Sequence, residues 1–235
     1  MSLDVADPET GKSFYPGTVN TYDVRISLYD EILDRTKGNV EEFINPKFNA
    51  DKTAFTAPAR IETLMQDIAK AMKKGKVIFT VFADAKYIFS PTKNNRAEEK
   101  VIKLKTNHDT LATAEHDHYW NIRKMLRHIG VDINVDGSRR VTQQIPYQEG
   151  AKIYIDPRIA RTIGDLKKIF RGGKISDRSV LIIELDGEEE FNISDIKITN
   201  LDLDGTLRIK VKPGYKYKIN GLVVRNDGWE FVDMT

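Results

Sequence analysis

The end of this chain is a series of short strands separated by tight turns, and this pattern constrains the fold more than any other feature. From Gly172-Gly173 onward, apolar and polar residues alternate with a period of two, as in 207–211. That period is typical of β-strands with one buried face. Turn dipeptides such as Asp204-Gly205 and Asn220-Gly221 separate many of the runs. Such tight spacing fits a small β-sandwich or a short β-helix, and the sequence alone leaves both open.

Before that point, apolar spacing alternates between helical and extended patterns. Thr56 and Pro58 form a predicted start for one of the helices, and Gly130 closes another. Alternating helices and strands favour an α/β layer. We therefore predict two domains, 1–156 and 157–235. The predicted elements are helices within 19–35, 60–74, 110–129 and 162–170, an extended segment at 40–48, and strands at 77–83 and 131–135.

Composition excludes several classes of function. Charged residues make up 31% and hydrophobic residues 40% of the chain, as in a soluble globular protein. The net charge of +2 does not favour nucleic-acid binding. No apolar run approaches the roughly 20 residues of a membrane span, so we expect a cytoplasmic protein without membrane contact. The absence of cysteine excludes disulfides and thiolate metal sites.

The four histidines do not form a metal-binding pattern. His116 and His118 are two residues apart in a predicted helix, so their side chains project from different faces. His128 is too distant along that helix to complete a site with either, and there is no HExxH motif. We therefore predict no metal site within this chain.

Lys93 is the strongest candidate functional residue. It lies in the loop Ser90-Pro91-Thr92-Lys93-Asn94-Asn95, between a rigid proline and two turn-forming asparagines. The loop follows a β-branched run at 77–82, and a lysine at the end of an α/β unit is well placed to meet an anionic ligand. Without further support, a solvated loop lysine is the simpler interpretation.

Several segments that follow one another along the chain support a functional interpretation. These segments are Tyr15-Pro16-Gly17-Thr18-Val19-Asn20, Glu42-Phe43-Ile44-Asn45-Pro46-Lys47-Phe48, Lys52-Thr53-Ala54-Phe55, Arg60-Ile61-Glu62-Thr63-Leu64-Met65-Gln66-Asp67, the Lys93 loop and Gly221-Leu222-Val223-Val224-Arg225-Asn226-Asp227-Gly228-Trp229. Together they resemble the C-terminal part of the UDP-sugar pyrophosphorylases, relatives of the UDP-glucose and UDP-N-acetylglucosamine pyrophosphorylases. Each match is weak alone, and their common order makes the set specific. Segments 100–108 and 136–169 match the family poorly.

The resemblance implies a nucleotidyltransferase reaction. Such a uridylyltransferase joins UTP to a sugar 1-phosphate, uses Mg²⁺ and releases pyrophosphate, so UTP and the sugar phosphate are the expected partners. It also implies the C-terminal part of a Rossmann-like nucleotidyltransferase domain followed by a small β-rich, β-helix-like domain. Lys93 would contact the phosphates and offset their charge.

The same resemblance implies a set of substrate-binding residues. Thr18 occupies a position where the family has asparagine, and a hydroxyl lacks the paired donor and acceptor of an amide, which affects sugar contact. Asn20 matches a family asparagine, with helix capping as its alternative role. Asn45 and Lys47 would line the sugar side, with an ordinary edge strand as the alternative. Glu62 and Gln66 are placed on one face of the predicted helix, with Asp67 either supporting them or merely exposed.

The glycine-rich nucleotide loop of such enzymes has no counterpart here. The family cradles the UTP phosphates with a Leu-x-Gly-Gly-x-Gly-Thr segment, whose backbone N–H groups face the anion. Gly172-Gly173 is the only Gly-Gly pair among the 15 glycines, and it begins the β-rich part. We therefore expect a C-terminal fragment that is inactive alone, with the uracil contacts and the Mg²⁺ ligand outside it.

Two alternatives remain open from the residues. One is a UDP-N-acetylglucosamine pyrophosphorylase, because the related families share the Pro-x-Lys-Asn loop. The other is a non-catalytic binding or oligomerisation module that keeps the fold, which the missing glycine loop and Thr18 favour. Self-association of the chain is a separate expectation. It follows from an incomplete sheet, which would leave an open edge and exposed apolar surface.

Overall fold

The computed structural model of the protein describes residues 7–10, 13, 17–51, 53–73, 85–95, 108–142 and 145–230. The described residues form a mixed α/β structure in which most strand pairs are parallel. The predicted α/β class is therefore confirmed. The chain divides into two compact units, Met1–Ala83 and Asp84–Thr235.

The described residues of the first unit form α1 (Ile26–Thr36), β1 (Glu42–Asn45), β2 (Arg60–Thr63) and a 3₁₀ helix (Met65–Ala71). Helix α1 is followed by Lys37, which adopts a left-handed conformation and whose N–H donates to the Leu33 carbonyl. Strands β1 and β2 form an antiparallel ribbon in a register that places Ile44 opposite Ile61. Phe48 and Phe55 extend the ribbon by an isolated bridge, and their rings stack 5.0 Å apart.

The helical elements described in the second unit are a 3₁₀ turn (Ala85–Tyr87), α2 (Leu111–His128), α3 (Ile163–Ile169) and a 3₁₀ turn (Ile193–Asp195). Thr110 caps α2 through a capping box with Thr113, and this explains the sharp start of the helix. Helix α3 is also capped by a box, between Thr162 and Asp165.

Twelve described strands also belong to this unit. In chain order they are β3 (Asp132–Ile133), β4 (Ser138–Thr142), β5 (Ile145–Glu149), β6 (Lys152–Ile155), β7 (Phe170–Arg171), β8 (Lys174–Ile175), β9 (Val180–Leu185), β10 (Ile196–Thr199), β11 (Asp202–Asp204), β12 (Thr206–Val211), β13 (Tyr217–Asn220) and β14 (Val223–Arg225). Strands β4 and β5 form an antiparallel hairpin, and the others pair in parallel.

The parallel strands build three sheets that the chain visits in turn. Their strand orders are β6-β9-β12, β7-β10-β13 and β3-β8-β11-β14. From β6 onward, strands that are neighbours in a sheet are thus three strands apart in sequence, and the turn dipeptides pass the chain from one sheet to the next rather than closing hairpins. Alternate residues point inward, as the burial pattern of β9 shows. The resulting core includes Ile153, Leu181, Ile183, Ile196, Ile198, Leu203 and Val211.

One predicted helix is wrong. Residues 60–63 form strand β2 instead of the start of a helix, and the helical turns that follow are 3₁₀. Thr56 does not cap a helix, because its N–H and its hydroxyl both donate to the carbonyl of Lys47 across the ribbon. The predicted strand at 77–83 lies outside the described residues. The extended segment at 40–48 and the helices at 110–129 and 162–170 are confirmed, with α1 shorter than predicted.

Candidate functional site

The Lys93 loop is tied to the N-terminal end of helix α2. The backbone N–H groups of Lys93 and Asn94 both donate to the carbonyl of Asp109, at 2.8 and 3.0 Å. The Asn94 side chain donates to the carbonyl of His108 at 3.0 Å. Asp109 itself has a left-handed backbone and immediately precedes the cap residue Thr110. The Lys93 side chain is exposed, so its ammonium is presented to solvent from a loop with a fixed backbone.

A polar contact holds the start of the same loop against α2. The hydroxyl of Ser90 donates to Asp117 at 2.7 Å, and Asp117 is largely buried. Lys86 lies 4.0 Å from the other carboxylate oxygen of Asp117. The side chain of Asn121 donates to the Lys86 carbonyl at 2.8 Å. Sequence reasoning missed Asp117 and Asn121, which share one face of α2 because they are four residues apart.

Aromatic and cationic side chains pack beside these contacts. The ammonium of Lys124 lies 4.3 Å from the ring centre of Tyr87 and 4.4 Å from that of Trp120. The indole N–H of Trp120 donates to Asp136 at 3.2 Å. A cation over an aromatic face is attracted to its negative quadrupole. These contacts join the 3₁₀ turn before the Lys93 loop to the middle of α2.

Two basic side chains of α2 have shifted pKa values. Burial, with Arg123 and Lys86 nearby, lowers the pKa of His116 to about 4. Burial also lowers the pKa of Arg123 to about 10, against the opposing influence of Asp177 and other acids. Arg123 is 1% exposed, and its guanidinium donates to the carbonyls of Val135 and Ala151 at 2.8 and 3.0 Å. His116 is therefore neutral at pH 7, while Arg123 remains a cation.

In the first unit, two predicted sugar-side residues meet on the ribbon. The side-chain amide of Asn45 donates to the carboxylate of Glu62 at 3.1 Å. Arg60 lies 3.9 Å from the other oxygen of Glu62. Because residues opposite each other in an antiparallel pair share a face, Asn45, Arg60 and Glu62 project from one side of the ribbon. That side offers hydrogen-bonding groups suited to a polyol or another polar ligand.

Thr18 and Asn20 form a second polar group in this unit. The N–H of Asn20 donates to the Thr18 hydroxyl at 3.2 Å, and the Tyr22 hydroxyl donates to the Asn20 side chain at 3.1 Å. The hydroxyls of Thr18 and Tyr22 are 3.4 Å apart. The capping alternative for Asn20 is wrong, because Arg25 precedes α1 and no side chain caps it. Tyr22 was not predicted, since an isolated tyrosine carries no sequence signal.

The predicted helix face of Glu62, Gln66 and Asp67 does not exist. Glu62 lies in β2, whereas Gln66 and Asp67 lie in the 3₁₀ helix that follows. Asp67 is not a merely exposed acid: its side chain is 13% exposed and 3.2 Å from Lys70, which also contacts Glu41 at 2.7 Å. The hydrogen bond to Glu41 raises the pKa of Lys70.

Lys47 is placed just beyond β1. Its side chain is exposed, and its carbonyl anchors the ribbon through Thr56. The structure brings Asn45 together with Glu62, and Thr18 together with Asn20. Lys93 belongs to the second unit, and all the other predicted site residues belong to the first, namely Thr18, Asn20, Asn45, Lys47, Glu62 and Gln66.

No group of three or more His, Asp or Glu side chains in the described ranges could hold a metal ion. We therefore assign no step through a metal to these residues. No helix in the described part of the chain is long and apolar enough to cross a bilayer.

The motif at 221–229 makes structural contacts within the second unit. The Asn226 side chain accepts from the Thr206 N–H at 2.6 Å and donates to the Thr206 carbonyl at 3.0 Å, much as a neighbouring strand would. Gly228 passes so close to the Arg178 carbonyl that an added Cβ would lie 2.0 Å from its oxygen. Trp229 donates from its backbone to Arg178 and from its indole to Asp177, each at 3.0 Å. The motif therefore fastens the end of the last strands to the turn before β9.

Comparison with known proteins adds evidence independent of this geometry. A UDP-sugar pyrophosphorylase of Oryza sativa subsp. japonica is 32% identical to this chain over 233 residues. The corresponding protein of Oryza sativa subsp. indica is also 32% identical, and that of Arabidopsis thaliana is 29% identical over 224 residues. The alignments cover 94–95% of this chain. The chain is similar to the UDP-sugar pyrophosphorylases along almost its whole length. The resemblance seen in the motifs is thus confirmed.

The alignments cover almost all of this chain but a small part of each UDP-sugar pyrophosphorylase. The chain spans only 35% of the length of each of these relatives. No protein-family model matches the chain. The names of the relatives favour neither the UDP-N-acetylglucosamine alternative nor a non-catalytic module.

Proposed function

We propose that this chain is the C-terminal, sugar-binding part of a uridylyltransferase of the UDP-sugar pyrophosphorylase type. The complete enzyme would make UDP-sugar and pyrophosphate from UTP and a sugar 1-phosphate. The observation that carries the proposal is the similarity over 95% of the chain to proteins named UDP-sugar pyrophosphorylase. The Lys93 loop and the polar side of the β1–β2 ribbon supply residues with suitable chemistry.

Lys93 would act on the phosphates. In the reaction, an oxygen of the sugar 1-phosphate forms a bond to the α-phosphorus of UTP, while the bond from that phosphorus to the departing pyrophosphate breaks. Negative charge builds up around the phosphorus, so a fixed cation there lowers the barrier. The anchored backbone of Lys93 and its exposed ammonium fit this role. The N-terminus of α2, with its partial positive charge, begins just beyond the Asp109 anchor.

The ribbon would contact the sugar. Asn45 and Glu62 form a donor–acceptor pair that can hydrogen-bond sugar hydroxyls, with Lys47 and Gln66 nearby in sequence. Thr18 and Asn20, joined by Tyr22, supply a second set of hydroxyl and amide groups. Thr18 in place of the family asparagine would change which sugar hydroxyls are recognised.

The same proposal covers the fold. The passage of consecutive strands through three parallel sheets supports a β-helix-like domain, and the α/β part would complete a Rossmann-like domain with the rest of the enzyme. The boundary between 1–156 and 157–235 stays a prediction; β6 lies just before it and pairs with β9 beyond it. Magnesium, held by residues outside this chain, would supply further charge neutralisation.

Pyrophosphate release tests whether this chain is one part of the active site. With UTP, glucose 1-phosphate and Mg²⁺, we expect no release from the 235-residue chain, because it lacks a glycine-rich phosphate loop. The complete enzyme containing this sequence should release pyrophosphate under the same conditions. Turnover by the chain alone would contradict the proposed division of the site, and an inactive complete enzyme would favour the non-catalytic module.

A further inference from the structure

Within the described residues, the β1–β2 ribbon has an unpaired outer edge along β2. The sheet they form consists of β1 and β2, and no further backbone hydrogen bond from this part of the chain reaches 60–63. A two-stranded ribbon is at best marginally stable alone, and an unpaired edge is a template for another strand. The ribbon is therefore suited to pair with a further polypeptide.

One face of the ribbon exposes a pair of large apolar side chains. Ile44 and Ile61 lie directly opposite each other, and their exposed fractions are 64% and 70%. Phe48 and Phe55, which stack further along the ribbon, are 46% and 62% exposed. Neighbouring exposed apolar side chains of this size mark an interaction surface more often than a solvated one.

The charges along β2 indicate which partner fits the edge. If a second β2 strand pairs antiparallel around a two-fold axis through Ile61, the two Ile61 side chains lie opposite each other on the apolar face. Arg60 of each copy then lies opposite Glu62 of the other, on the polar face. Moving the axis by one residue to Glu62 would instead place two carboxylates opposite each other.

The β1 edge is less suited to the same pairing. Pro46 follows β1 directly and has no N–H to donate to a neighbouring strand. No position along Glu42–Asn45 places opposite charges across a two-fold axis, because the strand carries no basic residue. The β2 edge therefore combines free backbone groups, an apolar row and complementary charge.

From this geometry, we propose that the chain forms a two-fold dimer in which the β2 strands of two copies pair antiparallel around Ile61. The product is a four-stranded sheet in the order β1-β2-β2-β1. Ile44 and Ile61 of both copies form one apolar row across it. Two Arg60–Glu62 pairs, one on each side of the axis, set the register.

Charge exchange tests this dimer directly. Sedimentation equilibrium of the full chain should show a species of twice the 26.8 kDa monomer mass. Arg60→Glu and Glu62→Arg should each raise the dimer dissociation constant at least about tenfold, because both place like charges opposite each other twice. A mixture of the two variants should regain dimers. In the mixed dimer, one chain carries carboxylates at positions 60 and 62, and the other carries guanidinium groups opposite both of them.

Matched controls separate pairing from folding. Arg25→Glu makes the same charge change elsewhere in the first unit and should leave the dissociation constant unchanged, and circular dichroism should show that all variants fold. Restored dimers in the mixture would establish the register even if the single variants lose some stability. A chain that is monomeric at every concentration would overturn the proposal. A dimer whose dissociation constant is unchanged by both charge changes would overturn it as well. Either failure would leave the proposed enzymatic function untouched, because the two are measured separately.

Discussion

The backbone N–H of Lys93 donates to the carbonyl of Asp109 at 2.8 Å, which connects the proposed phosphate-binding loop to the residue before the cap of α2. Asn94 shares the same acceptor and adds a side-chain bond to His108. This relationship fixes the backbone of Lys93 while leaving its ammonium exposed. A cation that acts on transferring phosphates needs such positioning, because little reorganisation should remain for the reaction itself.

Acidification should destabilise the protein through His116. Its pKa is about 4 in the folded protein and 6.5 in a model peptide, so the unfolded chain binds the proton more readily. The contribution of His116 to stability is therefore complete above pH 6.5 and falls as the pH is lowered toward 4. Urea unfolding at several pH values should show this loss, and His116→Gln should flatten that part of the profile. The exposed neighbour offers the control: His118→Gln should leave the slope as in the wild type, and an unchanged slope in His116→Gln would refute the assignment.

Removing the buried guanidinium should destabilise the second unit. Arg123→Met fills similar space but leaves the carbonyls of Val135 and Ala151 without their donor. We expect a loss of about 2–4 kcal/mol in the free energy of unfolding, because buried acceptors lose their hydrogen bonds. Arg127→Met on the same helix removes an exposed pair with Asp132 and should cost less than about 1 kcal/mol. Equal losses in denaturant titrations of the two variants would show that burial of Arg123 has no special effect.

A side chain at position 228 should destabilise the protein. A methyl group there would meet the carbonyl of Arg178, so the segment around Trp229 must move away from the turn before β9. Gly228→Ala should lower the free energy of unfolding, measured by urea titration, by about 1–3 kcal/mol, as expected for overpacking. Gly17→Ala, where nothing lies within 4 Å of the added group, is the control. A Gly228→Ala variant as stable as that control would contradict the structural role assigned to the motif at 221–229.

The sequence predicted the helices whose ends carry strong local signals. Thr110 and Gly130 bracket α2, and capping chemistry at such residues operates within a few positions of the chain. The helix predicted from 60 onward failed because Arg60–Thr63 pairs in register with β1, a strand that precedes it in the chain. Helical spacing of Ile61, Leu64 and Met65 carries no information on that partner, so tertiary pairing overrode local propensity.

The functional roles of the candidate site residues stay predictions. Lys93 and Asn45 were selected because each lies in a motif that can be read along the chain. The anchor at Asp109 and the contact of Ser90 with Asp117 join residues that are far apart in sequence, and no local pattern predicts these contacts. The choice between a sandwich and a β-helix stayed open on similar grounds, since period two shows that a strand has a buried face and not which strand lies beside it.

The most direct test of the proposed function is the turnover number of the complete enzyme containing this sequence, with Lys93→Ala compared with the wild type. Lys73→Ala, which removes an exposed lysine of the first unit, is the matched control. We predict that kcat for pyrophosphate release falls by about 10²- to 10³-fold in Lys93→Ala, the usual effect of losing one transition-state contact, and is unchanged in the control. A near-normal kcat for Lys93→Ala would contradict the assignment of Lys93 to the phosphates.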